Sequence, residues 1–342
     1  MKDRHFDFAS ALQSFFSDYM VHERASSSNT IRSYRDTFVL LINYLDEVRH
    51  IPADRIKLAD FERDLLTGYL DWLEVKHHNS VSTRNQRCAA LRSFFKYMMY
   101  LDPTHMSTWK QICTIKMKKY EQKLVAYLTT EAMKCLLEQV ETETKGGRRN
   151  LAMLSLLYNT GARVQELIDL TPRALRLTKP YTIELLGKGS KRRLVPLDDA
   201  IVNLMVRYME ENRLTDSGKA DAPLFSNSWG EPLTNPGISY IINKYAAIAR
   251  QIHPELYPEK ITPHVFRHSR AMHLLQAGVN LVYIRDILGH VSIQTTEIYA
   301  RADSKQKREA LEKAYESVGI TEPAVKSWEN NPKLKELLKS FC

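Results

Sequence analysis

Residues 181–197 have the sequence YTIELLGKGSKRRLVPL, and they contain the two strands that the chain predicts most clearly. Apolar residues recur through Tyr181–Leu186 and Arg192–Leu197, and the turn Gly187–Ser190 separates the two runs. Two short apolar runs joined by a glycine-containing turn are typical of an antiparallel hairpin. The sequence therefore predicts a small antiparallel sheet with Lys188 in the turn.

The chain on either side of this hairpin has helical periodicity. Apolar side chains recur at every third or fourth position after Ser28 and again after Ser82, which predicts roughly 110 residues of helical structure at the start of the chain. Further along, Thr129, Thr234 and Thr262 offer N-caps to apolar helices. The predicted fold class is mainly α, with an all-α N-terminal domain and a C-terminal mixed α domain that carries the small antiparallel sheet.

The length favours two domains, because the chain has 342 residues and one domain takes about 150. We expect a helical domain over 1–110, a basic linker over 111–127, a larger domain over 128–320 and a tail over 321–342. Three linker lysines, Lys116, Lys118 and Lys119, are candidate contacts to phosphates. The alternative is a linker that is only solvated.

Composition excludes several classes of protein. Hydrophobic residues make up 44% and charged residues 26%, which is typical of a globular protein. The longest uncharged stretch, 271–284, is shorter than the roughly 20 apolar residues that span a bilayer, and the charged N-terminus does not resemble a secretory signal. The four cysteines, Cys88, Cys113, Cys135 and Cys342, are too far apart for a metal knuckle or a redox pair. These features predict a reduced, cytoplasmic protein.

The charge favours a polyanionic partner. The net charge is +9 and the pI is about 9.2, a moderately basic balance that fits nucleic acid. Two predicted helices begin with small polar and basic residues, and a helix N-terminus offers N–H donors and a positive dipole end to phosphates. The candidate DNA contacts are Thr30, Arg32 and Arg35 on the first helix and Thr83, Arg84, Asn85 and Arg87 on the second. Each helix start could also be an ordinary solvated face.

One pair of histidines has the spacing of metal ligands. His264 and His268 are four residues apart on the helix that begins after Thr262. A zinc hydrolase of the HExxH type needs glutamate at the position where Val265 stands, and no nearby carboxylate or cysteine offers a third ligand. The sequence therefore predicts no metal and no cofactor.

Six dispersed side chains could together transfer a phosphoryl group without a metal ion. Arginines neutralise the non-bridging oxygens of a phosphodiester through paired hydrogen bonds. A tyrosine phenol is a usable nucleophile when histidine or arginine stabilises its phenolate, and a lysine of lowered pKa can protonate the leaving oxygen. The candidates are Arg163, Lys188, His264, Arg267, His290 and Tyr299.

The order and surroundings of these residues resemble the tyrosine recombinase (phage integrase) family. The matching motifs are Thr160–Leu167, Gly187–Gly189, His264–His268, Leu288–His290 and Thr295–Tyr299. The resemblance covers 128–300 and, more loosely, 30–97. It implies the tyrosine recombinase catalytic fold preceded by a SAM-like, core-binding domain.

The resemblance also implies a role for each catalytic candidate. Arg163 and Arg267 would clamp the scissile phosphate, and His264 would assist proton transfer. Lys188 would be the general acid, and Tyr299 would be the nucleophile that forms a 3′-phosphotyrosine bond.

Four further residues take supporting roles by the same resemblance. His290 would bond the phosphate or steady the leaving group, and Glu166 would support the site from behind. Lys191 and Arg192 beside the hairpin turn are candidate DNA contacts, and Lys191 is the second amine that could act as the acid.

Family members act as tetramers that exchange strands of double-stranded DNA through a Holliday junction, so a homotetramer on short inverted core sites is expected, with or without a second recombinase. Such an assembly needs a segment passed between protomers. The candidate is 331–342, whose apolar residues share one helical face: Leu334, Leu337, Leu338 and Phe341. Packing of this helix onto its own domain is the alternative.

The predicted function is site-specific recombination, in the service of a mobile genetic element. The long segment beyond Tyr299 favours that role over Xer-type resolution of chromosome dimers. A type IB topoisomerase, an inactive DNA-binding regulator and a metal hydrolase are the more distant alternatives.

Overall fold

The computed structural model describes residues 7–120, 125–187, 189 and 191–302. The chain divides into two compact units, and the division falls between residues 123 and 124. Within the described residues, no helix combines the length and the apolar character needed to cross a membrane.

The described residues of the N-terminal unit form helices and no strand. Its elements are α1 (Phe8–Ser14), a π-helical segment (Phe15–Glu23), α2 (Ser28–Arg49), α3 (Arg63–Val75), α4 (Val81–Leu101) and α5 (Met106–Cys113). Serine caps begin the two long helices, because the Ser27 and Ser80 side chains accept hydrogen bonds from backbone N–H groups of the first turn. Helix α4 therefore begins just before Ser82, the start that periodicity predicts.

Aromatic side chains fill the core of this unit. Phe15, Phe38 and Phe94 pack edge to face with ring centroids 5.1 to 6.3 Å apart. Helix α5 buries Trp109 and Ile112 in the same core. The helical unit thus continues beyond residue 110. Trp109 and Ile112 give α5 an apolar face, which is hard to recognise in the sequence because many lysines follow it.

The C-terminal unit is helical around a small sheet. Its helices are α6 (Thr130–Glu138), α7 (Lys145–Thr160), α8 (Val164–Ile168), α9 (Asp199–Glu211), α10 (Asn235–Ile252), α11 (Pro263–Gln276), α12 (Leu281–Leu288) and α13 (Gln294–Ala302). The strands β1 (Leu175–Arg176), β2 (Thr182–Leu186) and β3 (Arg192–Pro196) form an antiparallel sheet in the order β1-β2-β3. The predicted hairpin and the predicted fold class are confirmed. Strand β1 was not predicted, because two residues are too few to show an alternating pattern.

Two glycines bring the ends of α7 and α12 close together. Gly161 and Gly289 follow these helices with left-handed φ of +58° and +64°, a conformation that glycine adopts at little cost. A Cβ on Gly161 would lie 2.8 Å from Leu288 Cδ2, and one on Gly289 would lie 3.0 Å from Arg193. The end of α7 thus lies against the Leu288 side chain of α12, and the end of α12 lies against the Arg193 side chain of β3.

Gly161→Ala is expected to destabilise the protein more than Gly278→Ala. Both glycines have left-handed φ, +58° and +83°, so alanine costs about 1–2 kcal/mol at either position. At Gly161 the added Cβ also meets Leu288, whereas around Gly278 the described chain leaves it open space. Urea unfolding should show a loss of about 2–4 kcal/mol for Gly161→Ala. Equal losses for the two variants would contradict the close approach of the helix ends.

Candidate functional site

Three arginines converge on the C-terminal end of α12. Each donates to a different backbone carbonyl: Arg193 Nε to Ile287 O (2.8 Å), Arg267 Nη2 to Leu288 O (2.6 Å) and Arg163 Nη2 to Gly289 O (3.0 Å). The last carbonyls of a helix have no partner within the helix, and the negative end of its dipole favours cations. The end of α12 therefore gathers guanidinium groups from β3, α11 and the start of α8.

A buried carboxylate binds two of these arginines. Glu166 accepts from Arg163 Nη1 at 2.7 Å and from Arg193 Nη1 and Nη2 at 2.9 and 2.7 Å. It also caps α8, because its Oε2 accepts the Arg163 backbone N–H at 2.8 Å. Burial raises the pKa of this carboxyl, but the hydrogen bonds from Arg193 and Arg163 outweigh burial, so its pKa lies below the ordinary value. Glu166 is thus ionised at neutral pH, and its hydrogen bonds fix the positions of the Arg163 and Arg193 guanidiniums.

Arg267 links the two helix ends. Its Nη1 donates to Gly161 O at 2.6 Å, and its Nη2 reaches the end of α12. Burial and the neighbouring Arg163 lower its pKa to about 10, which leaves the guanidinium charged at neutral pH. Arg163 is more accessible, with 33% of its side chain exposed. A phosphate approaching the pair would therefore meet Arg163 from the solvent side.

Histidines surround a buried tyrosine beside these arginines. His264 is exposed in the first turn of α11, and His268 lies one turn further along. The Tyr299 ring on α13 is 1% exposed, and its hydroxyl lies 2.9 Å from His268 Nδ1. The His290 ring stacks on Tyr299 at 6.3 Å, and its Nδ1 lies 2.9 Å from Thr296 Oγ1. The phenol oxygen is therefore enclosed by rings rather than by water.

The electrostatics keep this group of rings uncharged. Burial lowers the pKa of both His268 and His290 to about 4, and the cation of Arg267 adds to the effect. Burial raises the pKa of Tyr299, while Arg267 and Arg163 oppose the rise. At neutral pH the site thus holds a protonated phenol, neutral imidazoles and charged guanidiniums.

The chain resembles known recombinases over most of its length. The phage integrase family matches residues 126–306, and the N-terminal SAM-like domain of phage integrases matches residues 12–102. A putative integrase/recombinase of Sinorhizobium fredii is 34% identical over 310 residues, which are 91% of this chain and 92% of the relative. The tyrosine recombinase XerC of Staphylococcus epidermidis is 30% identical over 296 residues, 86% of this chain and 93% of the relative.

The chain belongs to the phage integrase family of tyrosine recombinases. It is accordingly a site-specific recombinase, and the predicted family, activity and SAM-like N-terminal domain are confirmed.

Solved structures of recombinases share the fold. The XerH site-specific recombinase, in its post-cleavage complex with a palindromic difH substrate, superposes with a TM-score of 0.68 at 25% identity, covering 86% of this chain and 82% of that one. The Tn1549 transposon integrase has a TM-score of 0.67 at 18% identity, covering 89% and 99%. The latter likeness concerns the fold alone.

The structure gathers most of the predicted tyrosine recombinase site in one place. Five of the six catalytic candidates, together with Glu166, cluster around the end of α12: Arg163, His264, Arg267, His290 and Tyr299. Lys188 lies outside the described residues, as does the predicted exchange helix with Leu334, Leu337, Leu338 and Phe341. The base of the turn is described, and a Cβ on Gly187 would lie 3.3 Å from Glu166 Oε1. The hairpin turn thus begins beside the Glu166 carboxylate.

Sequence reasoning missed two residues of the site, Arg193 and His268. In the sequence Arg193 stands within the basic run of the hairpin, and the spacing of His268 from His264 suggests only a metal site. The alternation of β3 could have separated Arg193, which faces inward with Val195, from the exposed Arg192. His268 shares a helical face with His264, and that spacing alone does not reveal its contact with a tyrosine from α13. The described residues contain no cluster of three or more side chains placed to hold a metal ion.

Two of the predicted DNA contacts in the N-terminal unit are buried. Arg84 and Asn85 are 4% and 8% exposed. Arg84 Nη1 donates to Lys116 O at 3.1 Å, and Asn85 exchanges hydrogen bonds with the Lys118 backbone at 2.8 and 3.0 Å. These two side chains lie on the buried face of α4 and therefore do not face solvent. Their hydrogen bonds attach the linker backbone to this helix.

Two further candidates are engaged within the unit. Arg87 Nη1 donates to Ser33 O at 2.7 Å, and Lys118 forms ion pairs with Asp71 and Glu74 on α3. The exposed basic candidates of the described chain are Arg32, Arg35, Lys116, Lys118, Lys119, Lys191 and Arg192, and Thr30 and Thr83 lie half-buried in the first turns of α2 and α4. The DNA-contacting role of these nine residues stays a prediction.

Arg193→Lys is expected to destabilise the protein by about 2–4 kcal/mol, because removing the guanidinium leaves a buried carboxylate short of its partner. One ammonium cannot serve both oxygens of Glu166 and the carbonyl of Ile287. The matched control is Arg192→Lys on the outer face of the same strand, whose exposed pair with Glu184 is worth at most about 1 kcal/mol. Urea unfolding of both variants checks the prediction, and similar losses would contradict it.

Proposed function

We propose that this recombinase cleaves double-stranded DNA with Tyr299 and rejoins it through a 3′-phosphotyrosine intermediate. The observation that carries the proposal is the position of the Tyr299 phenol, which is enclosed by His268 and His290 and feels the charges of Arg163 and Arg267. A phenol in such surroundings gains from the cations when it becomes a phenolate and when it attacks an anionic phosphodiester.

Arg163 and Arg267 would clamp the scissile phosphate. The hydrogen bonds described above engage two of the five N–H groups of each guanidinium. The remaining N–H groups suit the two non-bridging oxygens, whose charge grows as the nucleophile approaches. His264, exposed beside the pair, would assist proton transfer, and His290 would bond the phosphate.

Lys188 would protonate the leaving oxygen. In the cleavage step the Tyr299 oxygen gives up its proton with the help of His264 and forms a bond to phosphorus, the bond from phosphorus to the 5′ oxygen breaks, and the ammonium of Lys188 supplies the proton that this oxygen takes up. Lys191, exposed at the start of β3, is the alternative acid. The reverse step rejoins the strand without a nucleotide cofactor, because the phosphotyrosine keeps the energy of the broken bond.

The DNA partner is supported by exposed basic residues in both units and by the relatives. XerH is described bound to a palindromic difH substrate, which agrees with the inverted core sites proposed for this chain. The Sinorhizobium relative is named a putative integrase/recombinase, and integration or excision of a mobile element is the role that we propose. The XerC relatives favour chromosome-dimer resolution as the second candidate.

Strand exchange would take place in a homotetramer through a Holliday junction. The proposed contact between protomers is the helix over 331–342, docked on a neighbouring copy by its apolar stripe. Docking of the helix on its own domain is the alternative.

Tyr299→Phe is expected to bind DNA normally and to form no covalent adduct, because the attacking oxygen is absent. The substrate is a pool of nicked duplexes tiled from the DNA that flanks the gene, and the readout is a protein–DNA band that survives SDS. Tyr283→Phe, an exposed tyrosine on α12, is the matched control and should form adducts like the parent. An adduct with Tyr299→Phe would identify another nucleophile, and a parent protein that forms none on any duplex would refute the proposal.

Replacing Leu334 and Leu338 together by alanine is expected to abolish tetramers on DNA and recombination while sparing cleavage of a single site. The reason is that the apolar contact between protomers is lost, whereas the catalytic residues remain in each protomer. The control is the double alanine variant of Lys335 and Lys339, on the other face of the same segment. Light scattering of the DNA complexes measures assembly, and unchanged tetramers in the leucine variant would favour docking of the helix in cis.

A further inference from the structure

The contact between His268 and Tyr299 has no part in the mechanism above, which uses His264 and His290. We propose that His268 is a further catalytic residue of this recombinase, which accepts the phenolic proton of Tyr299 as its oxygen attacks phosphorus. This inference rests on the proposed function of Tyr299 as the nucleophile.

The geometry singles out His268 among the three histidines. Its Nδ1 lies 2.9 Å from the Tyr299 hydroxyl, and the two ring centroids are 5.7 Å apart. His290 stacks on the face of the tyrosine ring, and its Nδ1 is bonded to Thr296. The His264 ring is 6.3 Å from that of His268 and lies on the exposed side of the site. Of the three, His268 is the ring bonded to the reacting oxygen.

Burial makes a bonded acceptor necessary. The Tyr299 side chain is 1% exposed, so bulk water does not reach the hydroxyl to take its proton. A neutral imidazole with its own proton on Nε2 accepts the phenol O–H at Nδ1, which holds the oxygen and offers the proton a destination. His268 is uncharged at neutral pH, because burial, His264 and Arg267 keep its pKa near 4.

The charged and titratable groups around His268 set when it accepts the proton. His264 and Arg267 face it from its own helix, His290 from the segment after α12, and Tyr299 from α13. Arg267 is the fixed cation of this set, and a phosphodiester bound to it would offset its charge. The proton affinity of His268 would therefore rise when the substrate is in place.

The step balances in both directions. During cleavage the Tyr299 oxygen forms its bond to phosphorus and loses its proton to His268 Nδ1, while the bond to the 5′ oxygen breaks and this oxygen takes a proton from the general acid. During rejoining the oxygen of the 5′ hydroxyl attacks phosphorus and returns its proton to the general acid, while the bond from phosphorus to the Tyr299 oxygen breaks and the imidazolium of His268 returns the proton to the departing phenolate. No other reactant is required.

His268→Asn tests the proposal, because its amide oxygen can accept the hydrogen bond but cannot take the proton. The matched control is His273→Asn. His273 lies on the same helix and makes the same kind of bond, 2.8 Å from Nδ1 to the Tyr158 hydroxyl, outside the site. The substrate is the nicked duplex on which the parent protein forms its Tyr299 adduct, and the readout is the single-turnover rate of adduct formation.

We expect His268→Asn to lower this rate by about 100-fold or more at pH 7, with DNA affinity and melting temperature unchanged, and His273→Asn to keep the parent rate. The rate of His268→Asn should rise about tenfold per pH unit above pH 7, as the phenolate forms without help. A substrate with sulfur at the 5′ bridging position, which needs no proton on leaving, should not remove the deficit.

Three outcomes would overturn the inference and leave the proposed function intact: a parent-like rate for His268→Asn, a deficit that is the same at every pH, or full rescue by the sulfur substrate. A parent-like rate would mean that a hydrogen bond to Tyr299 is enough. A deficit that does not change with pH would mean that the role of His268 is structural. Full rescue by the sulfur substrate would mean that His268 acts on the leaving group. Failure of the parent protein to form any Tyr299 adduct would instead refute the proposed function.

Discussion

One buried carboxylate allows three arginines to share a single helix end. Guanidinium groups this close repel one another in a medium of low dielectric constant, and Glu166 offsets that repulsion by bonding two of them directly. The carbonyls at the end of α12 supply the remaining negative potential. Three cations and one anion leave the region positive overall, which suits a phosphodiester.

The same arrangement explains the glycines that follow α7 and α12. Arg267 bonds carbonyls at the ends of both α7 and α12, and this requires each helix to stop abruptly next to the other. Gly161 and Gly289 end the helices in left-handed conformations, and neither adds a Cβ at the places where the Leu288 and Arg193 side chains already approach. Glu166 follows Arg163 by three residues. The capping box that begins α8 therefore also sets the distance between the Glu166 carboxylate and the Arg163 guanidinium. Local rules of helix capping therefore set the spacing of these site residues.

Local sequence patterns predict the helices and strands, but they do not predict contacts between residues that are far apart along the chain. Thr129 and Thr234 cap helices where the sequence places them, and the hairpin follows from its turn and alternation, because caps and periods act over a few residues. Arg193 bonds a carbonyl that is 94 residues away along the chain, and His268 meets a tyrosine from another helix. Arg84 and Asn85 look like DNA contacts in the sequence, yet the inner face of α4 carries them toward the linker backbone. Packing decides which face of a helix is buried, and the positions of basic residues in the sequence do not reveal that packing.

Burial and charge together favour the neutral forms of Tyr299 and His268. Burial raises the pKa of Tyr299 and lowers that of His268, so the phenol keeps its proton and the imidazole stays neutral although the two groups are bonded. A phosphodiester bound to Arg163 and Arg267 would reduce the cationic field that disfavours the imidazolium. The attack itself would then spread the phenolate charge onto the clamped phosphate, where the guanidiniums stabilise it most. Substrate binding would therefore favour proton transfer at the moment when phosphorus is within reach, and a buried nucleophile without DNA would remain unreactive.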